Sequence, residues 1–175
     1  MKTALDQLSN YAAYHRDRRN IATHLLGVPM IVFAVVVLLS RPAVEVAGLA
    51  VTPAMAALLA AGIYYLLLDL ALGLGLVALI GAMVWGGTQV GAQSTAAWLV
   101  IGIGFFVTGW IIQFIGHYYE GRKPAFFDDI LGLLIGPMFV LAEVVFACGL
   151  RRPLKQAIES RAGPTLVRQV GRGAA

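Results

Sequence analysis

The sequence predicts an all-α fold: a polytopic membrane helix bundle of four or five spans, with an interfacial N-terminal helix and a last segment that is broken or re-entrant. Two observations carry this. Hydrophobic residues make up 59% of the 175 and charged residues 13%, with a mean hydropathy of +0.81, whereas a soluble domain carries roughly 25% charge. The apolar residues also gather in runs close to the roughly 20 residues that a helix needs to cross hydrocarbon. The length suits a single integral membrane domain, residues 1–175, with a leader at 1–20 and a mobile basic tail at 151–175.

The leader contains Asp6, Asn10 and Asp17 with Lys2, Arg16, Arg18 and Arg19, and it lacks the apolar core of a cleavable signal peptide. Leu5, Leu8, Ala12 and His15 recur on one helical face, which predicts a helix lying along the membrane interface. Span 1 is IATHLLGVPMIVFAVVVLLS, residues 21–40, with Asn20 placed to cap it and Pro29 placed to kink it. The stretch from Thr52 to Gly87 is too long for one span and is interrupted at Asp69, so it reads as two spans meeting in a tight turn. Asp69 there serves as a turn or cap residue. Span 4 is residues 96–116. The last apolar segment, Phe126 to Leu150, has Gly136 and Pro137 in its middle and Glu143 beyond them, and Asp128 and Asp129 are placed to cap its helix.

Lys and Arg favour cytoplasmic loops. Lys2, Arg16, Arg18 and Arg19 therefore assign the N-terminus to the cytoplasm, and Arg122 and Lys123 after span 4 agree with an even number of crossings. The tail residues Arg151, Arg152, Lys155, Arg161, Arg168 and Arg172 also favour the cytoplasm. A last segment that bends at Gly136 and Pro137 and returns without crossing reconciles them. The net charge of +4 lies largely at the two ends and suits anionic headgroups, and no basic patch interleaved with aromatics points to nucleic acid. Tyr118, Tyr119 and Trp110 read as interface aromatics.

The same parity gathers the chemistry. The chain has three histidines, His15, His24 and His117, and all three fall on one membrane face, the cytoplasmic one, together with Glu120. On one unbroken helix, His15 and His24 would be rotated by about 900° and face opposite ways. A break within the charged RDRRN stretch lets the leader fold His15 back toward His24. His117 and Glu120, three apart, point the same way. Cys148 is the only cysteine, so a metal must be held by nitrogen and oxygen. Three imidazoles and a carboxylate suit iron(II), zinc or manganese. Asp17 either orients a ring nitrogen or pairs with Arg16, Arg18 or Arg19. Glu143 is either internally hydrogen-bonded or part of the site, and Arg122 and Lys123 either mark the membrane border or receive an acidic headgroup.

YHRDRRNIATHLLGVP, QFIGHYYEGRKPAFFDD and LLIGPMFVLAE resemble the membrane family of 2-hydroxy fatty acid dioxygenases, named for the metabolism of phytosphingosine to odd-numbered fatty acids. The resemblance covers most of residues 11–146. It implies an iron(II)-dependent dioxygenase that uses O2 in α-oxidation, shortening a 2-hydroxy fatty acid by one carbon. It also implies that His15, His24 and His117 are the iron ligands. Glu120 lies in the same motif as a catalytic candidate, on the metal or just behind it. Arg122 and Lys123 are candidates for the substrate carboxylate, and Asp17, Asn20 and Glu143 are candidates for support around the ligands.

Two other classes compete. A zinc-dependent membrane lipid amidase or hydrolase would use the same residue types, with metal-bound water as nucleophile. A small transporter or scaffold would use the histidines structurally. The expected partners are a 2-hydroxy fatty acid and membrane lipid, and the oligomeric state is left open.

Overall fold

The computed structural model describes residues 2–124 and 131–169. Helices dominate: α1 Ala4–Ala12, α2 Arg18–Leu38, α3 Pro53–Leu68, α4 Leu70–Gly91, α5 Thr95–Glu120, α6 Leu131–Ala147 and α7 Arg152–Ala162, with a short hairpin of β1 Val44–Val46 and β2 Leu49–Val51. This is an all-α integral membrane bundle. Helices α2, α4 and α5 are long and apolar enough to cross a membrane, α3 is shorter at 16 residues, and α6 with α7 forms a pair bent by 119°. The chain packs as two compact units, one of Met1–Val28 with Ile111–Ala175 and one of Pro29–Trp110.

In the second unit, α3 and α4 form the expected tight hairpin about Asp69. Its Oδ1 accepts the Leu72 amide at 3.0 Å and caps α4. A Cβ on Gly73 would come within 2.7 Å of the Tyr65 carbonyl, so the close approach of the two helices requires glycine there. The β-hairpin had no counterpart among the expected elements. Its antiparallel register pairs Val44 with Val51, and its turn places Ala47 and Gly48 at positive φ.

In the first unit, a capping box starts α1: the Thr3 hydroxyl accepts the Asp6 amide, and the Asp6 carboxylate accepts the Thr3 amide. Of the expected face, Leu8 and Ala12 are buried and Leu5 is half-buried, and the helix packs on α6 and α7. Three expectations need correction. Asn20 does not precede its helix, because α2 begins at Arg18. Asp17 takes the capping role instead, accepting the Arg19 amide at 2.8 Å. The last apolar segment does not bend at Gly136 and Pro137, since α6 runs through both, and Gly136 is where the Tyr11 hydroxyl packs against the helix. The break comes at residues 148–151, where Gly149 and Arg151 adopt positive φ before α7.

The tail is the third correction. Residues 152–162 are a helix whose Ile158 is buried and whose Arg161 pairs with Asp6 at 2.7 Å. Beyond it, residues 163–169 run extended past the start of α2. Asp128 and Asp129 lie outside the described residues.

Candidate metal centre

Three elements bring the histidines together. His15 sits in the turn between α1 and α2, His24 on the second turn of α2, and His117 in the last turn of α5. Two local features make the meeting sterically feasible. Residues 13–17 break the helical path, which removes the opposed facing of His15 and His24. Gly116 lets α5 touch α2, since a Cβ there would lie 2.0 Å from Thr23 Oγ1 and 2.5 Å from Asn20 Oδ1.

The three rings stand mutually edge-on. Centroids lie 4.4 Å apart for His15 and His24, 5.0 Å for His15 and His117, and 5.1 Å for His24 and His117. One ring nitrogen from each falls within 4.8 Å of the other two, and all three residues are buried. Tyr11 stacks on His15 at 4.1 Å with planes 7° apart, and Phe139 adds a tilted ring at 5.6 Å.

The hydrogen bonds decide which nitrogens face inward. His15 Nδ1 lies 2.7 Å from the Tyr11 carbonyl and His24 Nδ1 lies 2.8 Å from the Asn20 carbonyl. A carbonyl only accepts, so each Nδ1 carries the ring proton. The two Nε2 atoms, 3.0 Å apart, therefore present lone pairs to each other when both rings are neutral. Burial, followed by the neighbouring His24, holds His15 well below the usual histidine range, so its neutral form prevails. Facing lone pairs repel unless a cation lies between them. The 3.0 Å separation is short enough for both Nε2 atoms to bind one ion. His117 Nδ1 is buried with no hydrogen-bond partner. A three-imidazole donor set with two rings oriented by backbone carbonyls is thus suited to a metal ion.

Glu120 does something else. It is 1% exposed, and its Oε2 accepts the amides of Arg16 at 3.0 Å and Asp17 at 2.8 Å together with Asn20 Nδ2 at 3.0 Å. Its Oε1 accepts Arg168 Nε at 3.1 Å and pairs with Nη2 at 3.0 Å. The carboxylate therefore ties the His15 loop to the end of α5 rather than joining the nitrogen cluster. Asp17, also buried, takes Arg19 Nε and Nη2 on its two oxygens instead of a ring nitrogen. The Arg19 guanidinium holds its carboxyl down at about 2. Asn20 supports the centre through its carbonyl on His24 and its amide on Glu120.

Other expected residues lie outside the cluster. Arg122 is exposed and its Nη1 donates to the Ala13 carbonyl at 3.2 Å, and Lys123 is exposed beside it. Glu143 is half-buried on α6, close enough to Arg16 for their charges to interact. Sequence reasoning missed Tyr11, Gly116 and Arg168. Tyr11 is four residues before His15 and carried a usable helical-spacing signal, Gly116 adjoins His117 in an apolar run with many glycines, and nothing local marks Arg168.

Comparison with known proteins places the chain in a family. The family described as "2-hydroxy-palmitic acid dioxygenase Mpo1-like" matches residues 1–148. The chain belongs to this family. It is also 31% identical over 157 residues to the 2-hydroxy-palmitic acid dioxygenase MPO1 of Saccharomyces cerevisiae, covering 87% of this chain and 86% of the yeast protein. No solved structure matches the chain. The family match contains all three histidines and Glu120, and it ends before α7.

Proposed function

We propose that this protein is an iron(II)-dependent dioxygenase that cleaves the C1–C2 bond of a 2-hydroxy fatty acid and yields the acid one carbon shorter. The observation that carries the reading is the buried triad of His15, His24 and His117, with the Nε2 atoms of His15 and His24 turned toward each other. Membership of a family described by this activity supports the substrate class. Iron, when bound, would supply the means to engage O2, which side chains alone lack. His15, His24 and His117 would hold the iron, and a 2-hydroxy acid could approach it through its carboxylate and hydroxyl. With one O2 consumed, a fatty acid, carbon dioxide and water balance the atoms and electrons without a separate reductant.

The protein's own residues then have defined tasks. The carbonyls of Tyr11 and Asn20 hold the ring protons on Nδ1 and so keep each Nε2 free as a ligand. Tyr11 and Phe139 exclude water from the face of His15. We assign Glu120 the positioning of the His15 loop. Arg122, exposed and bonded to that loop at Ala13, with Lys123 next to it, is assigned to recruiting the substrate carboxylate. The alkyl chain would lie among the apolar helices. The charges of the leader favour the cytoplasmic face for the centre.

The test is direct. Purified protein loaded with iron(II) and given 2-hydroxypalmitate under oxygen should produce pentadecanoic acid with equimolar oxygen uptake, and His117→Ala should lose both metal and product. A folded, iron-loaded sample that forms no shortened acid overturns the reading. Zinc retention with turnover of a lipid amide in the absence of oxygen would favour the hydrolase.

A further inference from the structure

The loop that carries His15 is short and irregular, and its position fixes one of three ligands. Arg122 on the Ala13 carbonyl and Asn20 on the Tyr14 carbonyl touch its start, and two larger sets of contacts hold the part from Arg16 onward. One is Glu120, described above. The other is the segment after α7, which lies beyond the part of the chain matched by the family. Here the Leu166 amide donates to the Arg16 carbonyl and the Arg18 amide donates to the Leu166 carbonyl, both at 2.9 Å, bracketing Asp17 in a parallel bridge. Arg16 Nη1 donates to the Gly163 carbonyl at 2.8 Å. The Arg168 amide donates to Asp17 Oδ2 at 2.6 Å, and the Arg168 carbonyl accepts Arg19 Nη2 at 2.6 Å. Its guanidinium closes the ring on Glu120 Oε1.

The charge arrangement makes this more than a packed tail. Glu120 and Asp17 are both buried carboxylates bound to the same turn of backbone. Like charges so placed require cations, and Arg19 serves Asp17 while Arg168 serves Glu120. Among the described residues Arg168 makes the direct ion pair with Glu120, and the Arg16 charge interacts with it only from farther off.

We propose that residues 163–168 are a strap that positions the metal centre, with Arg168 acting through Glu120 to hold the His15 loop in register with His24 and His117. This rests on the metal reading above. It makes the C-terminal segment part of the site although no residue in it is a ligand.

Cobalt(II) is a suitable probe, because its visible spectrum reports the ligand geometry directly and requires no turnover. In the full-length protein, Arg168→Gln should release cobalt to a chelator at least tenfold faster than the wild type, and a chain ending at Ala162 should release it faster still. Both should show an altered visible spectrum. Arg168→Lys, which keeps the charge but loses the forked geometry, should give an intermediate rate and keeps the test open if Arg168→Gln fails to fold. Arg161→Gln, which breaks only the exposed pair with Asp6, should match the wild type. Wild-type rates and spectra in Arg168→Lys and in whichever of the two stronger variants folds would overturn the strap while leaving the metal centre standing. A wild-type protein that takes up no cobalt would overturn both.

Discussion

Replacing Glu120 with Gln changes one oxygen to an amide group and leaves the shape intact, so its effect isolates charge at the junction between leader and helix. In the favourable orientation the Gln carbonyl still meets the amides of Arg16 and Asp17 and the Asn20 side chain, but as a neutral acceptor. Hydrogen bonds to a charged group contribute about 1.5–3 kcal/mol and neutral ones about 0.5–1.5, so three such exchanges cost about 3 kcal/mol. The new NH2 then faces the Arg168 guanidinium, donor against donor. Because the Arg168 side chain is 35% exposed and can turn to water, this adds about 0–1 kcal/mol. A sum of about 3–4 kcal/mol is a large share of the roughly 5–15 kcal/mol that stabilises a domain. It falls on a local unit that can open by itself. Hydrogen exchange is the assay: the Arg16 and Asp17 amides should exchange a hundred- to a thousand-fold faster, on the order of one decade per 1.4 kcal/mol, while amides within α4 stay unchanged. Glu120→Ala should be worse, because it leaves those donors buried without an acceptor. Unchanged exchange at Arg16 and Asp17 in Glu120→Gln would refute the account of the carboxylate as a clamp.

Gly116→Ala should separate α2 from α5 beside the centre, since its Cβ would overlap Thr23 Oγ1 and Asn20 Oδ1. Overpacking of this kind costs about 1–3 kcal/mol, and cobalt affinity should fall with thermal stability. Asp69→Ala removes the α4 cap and should cost about 1 kcal/mol, read as a small drop in melting temperature with metal content unchanged. The Asp6 carboxyl, held near 2 by the Thr3 amide and then by Arg161, lies below its ordinary value of about 3.9 in the unfolded chain. Its contribution to the α1–α7 contact is therefore complete above pH 4 and disappears as the pH falls through about 2. Carbon NMR of the side-chain carboxyl should show the low midpoint, and Arg161→Gln should move it upward.

Composition alone makes this a membrane helix protein, because so few charges over so many apolar residues leave hydrocarbon as the only solvent that accepts the surface. Local chemistry also fixed the α3–α4 turn: an Asp between two apolar runs ends one helix and caps the next. The histidines were legible through parity, since the start of the first span and the end of the fourth must share a face, and three imidazoles without thiolates narrow the metal. The direction of each ring was not legible. It depends on the carbonyls of Tyr11 and Asn20, groups that every residue possesses and that only the fold selects. Glu120 reads from sequence as a partner of His117 on one helical face. Tertiary structure turns it instead to backbone amides more than a hundred positions earlier. The break in the last segment moved from Gly136–Pro137 to residues 148–151, where Gly149 and Arg151 take positive φ and end the helical path that runs through Pro137. The basic tail gives the sharpest contrast. Its charges predict a mobile tail on the cytoplasmic side, yet Arg168 reaches a buried carboxylate 48 positions away. Periodicity and composition report local preference and the choice of solvent. Which buried charge meets which distant cation is set by three-dimensional packing, and no local pattern encodes it.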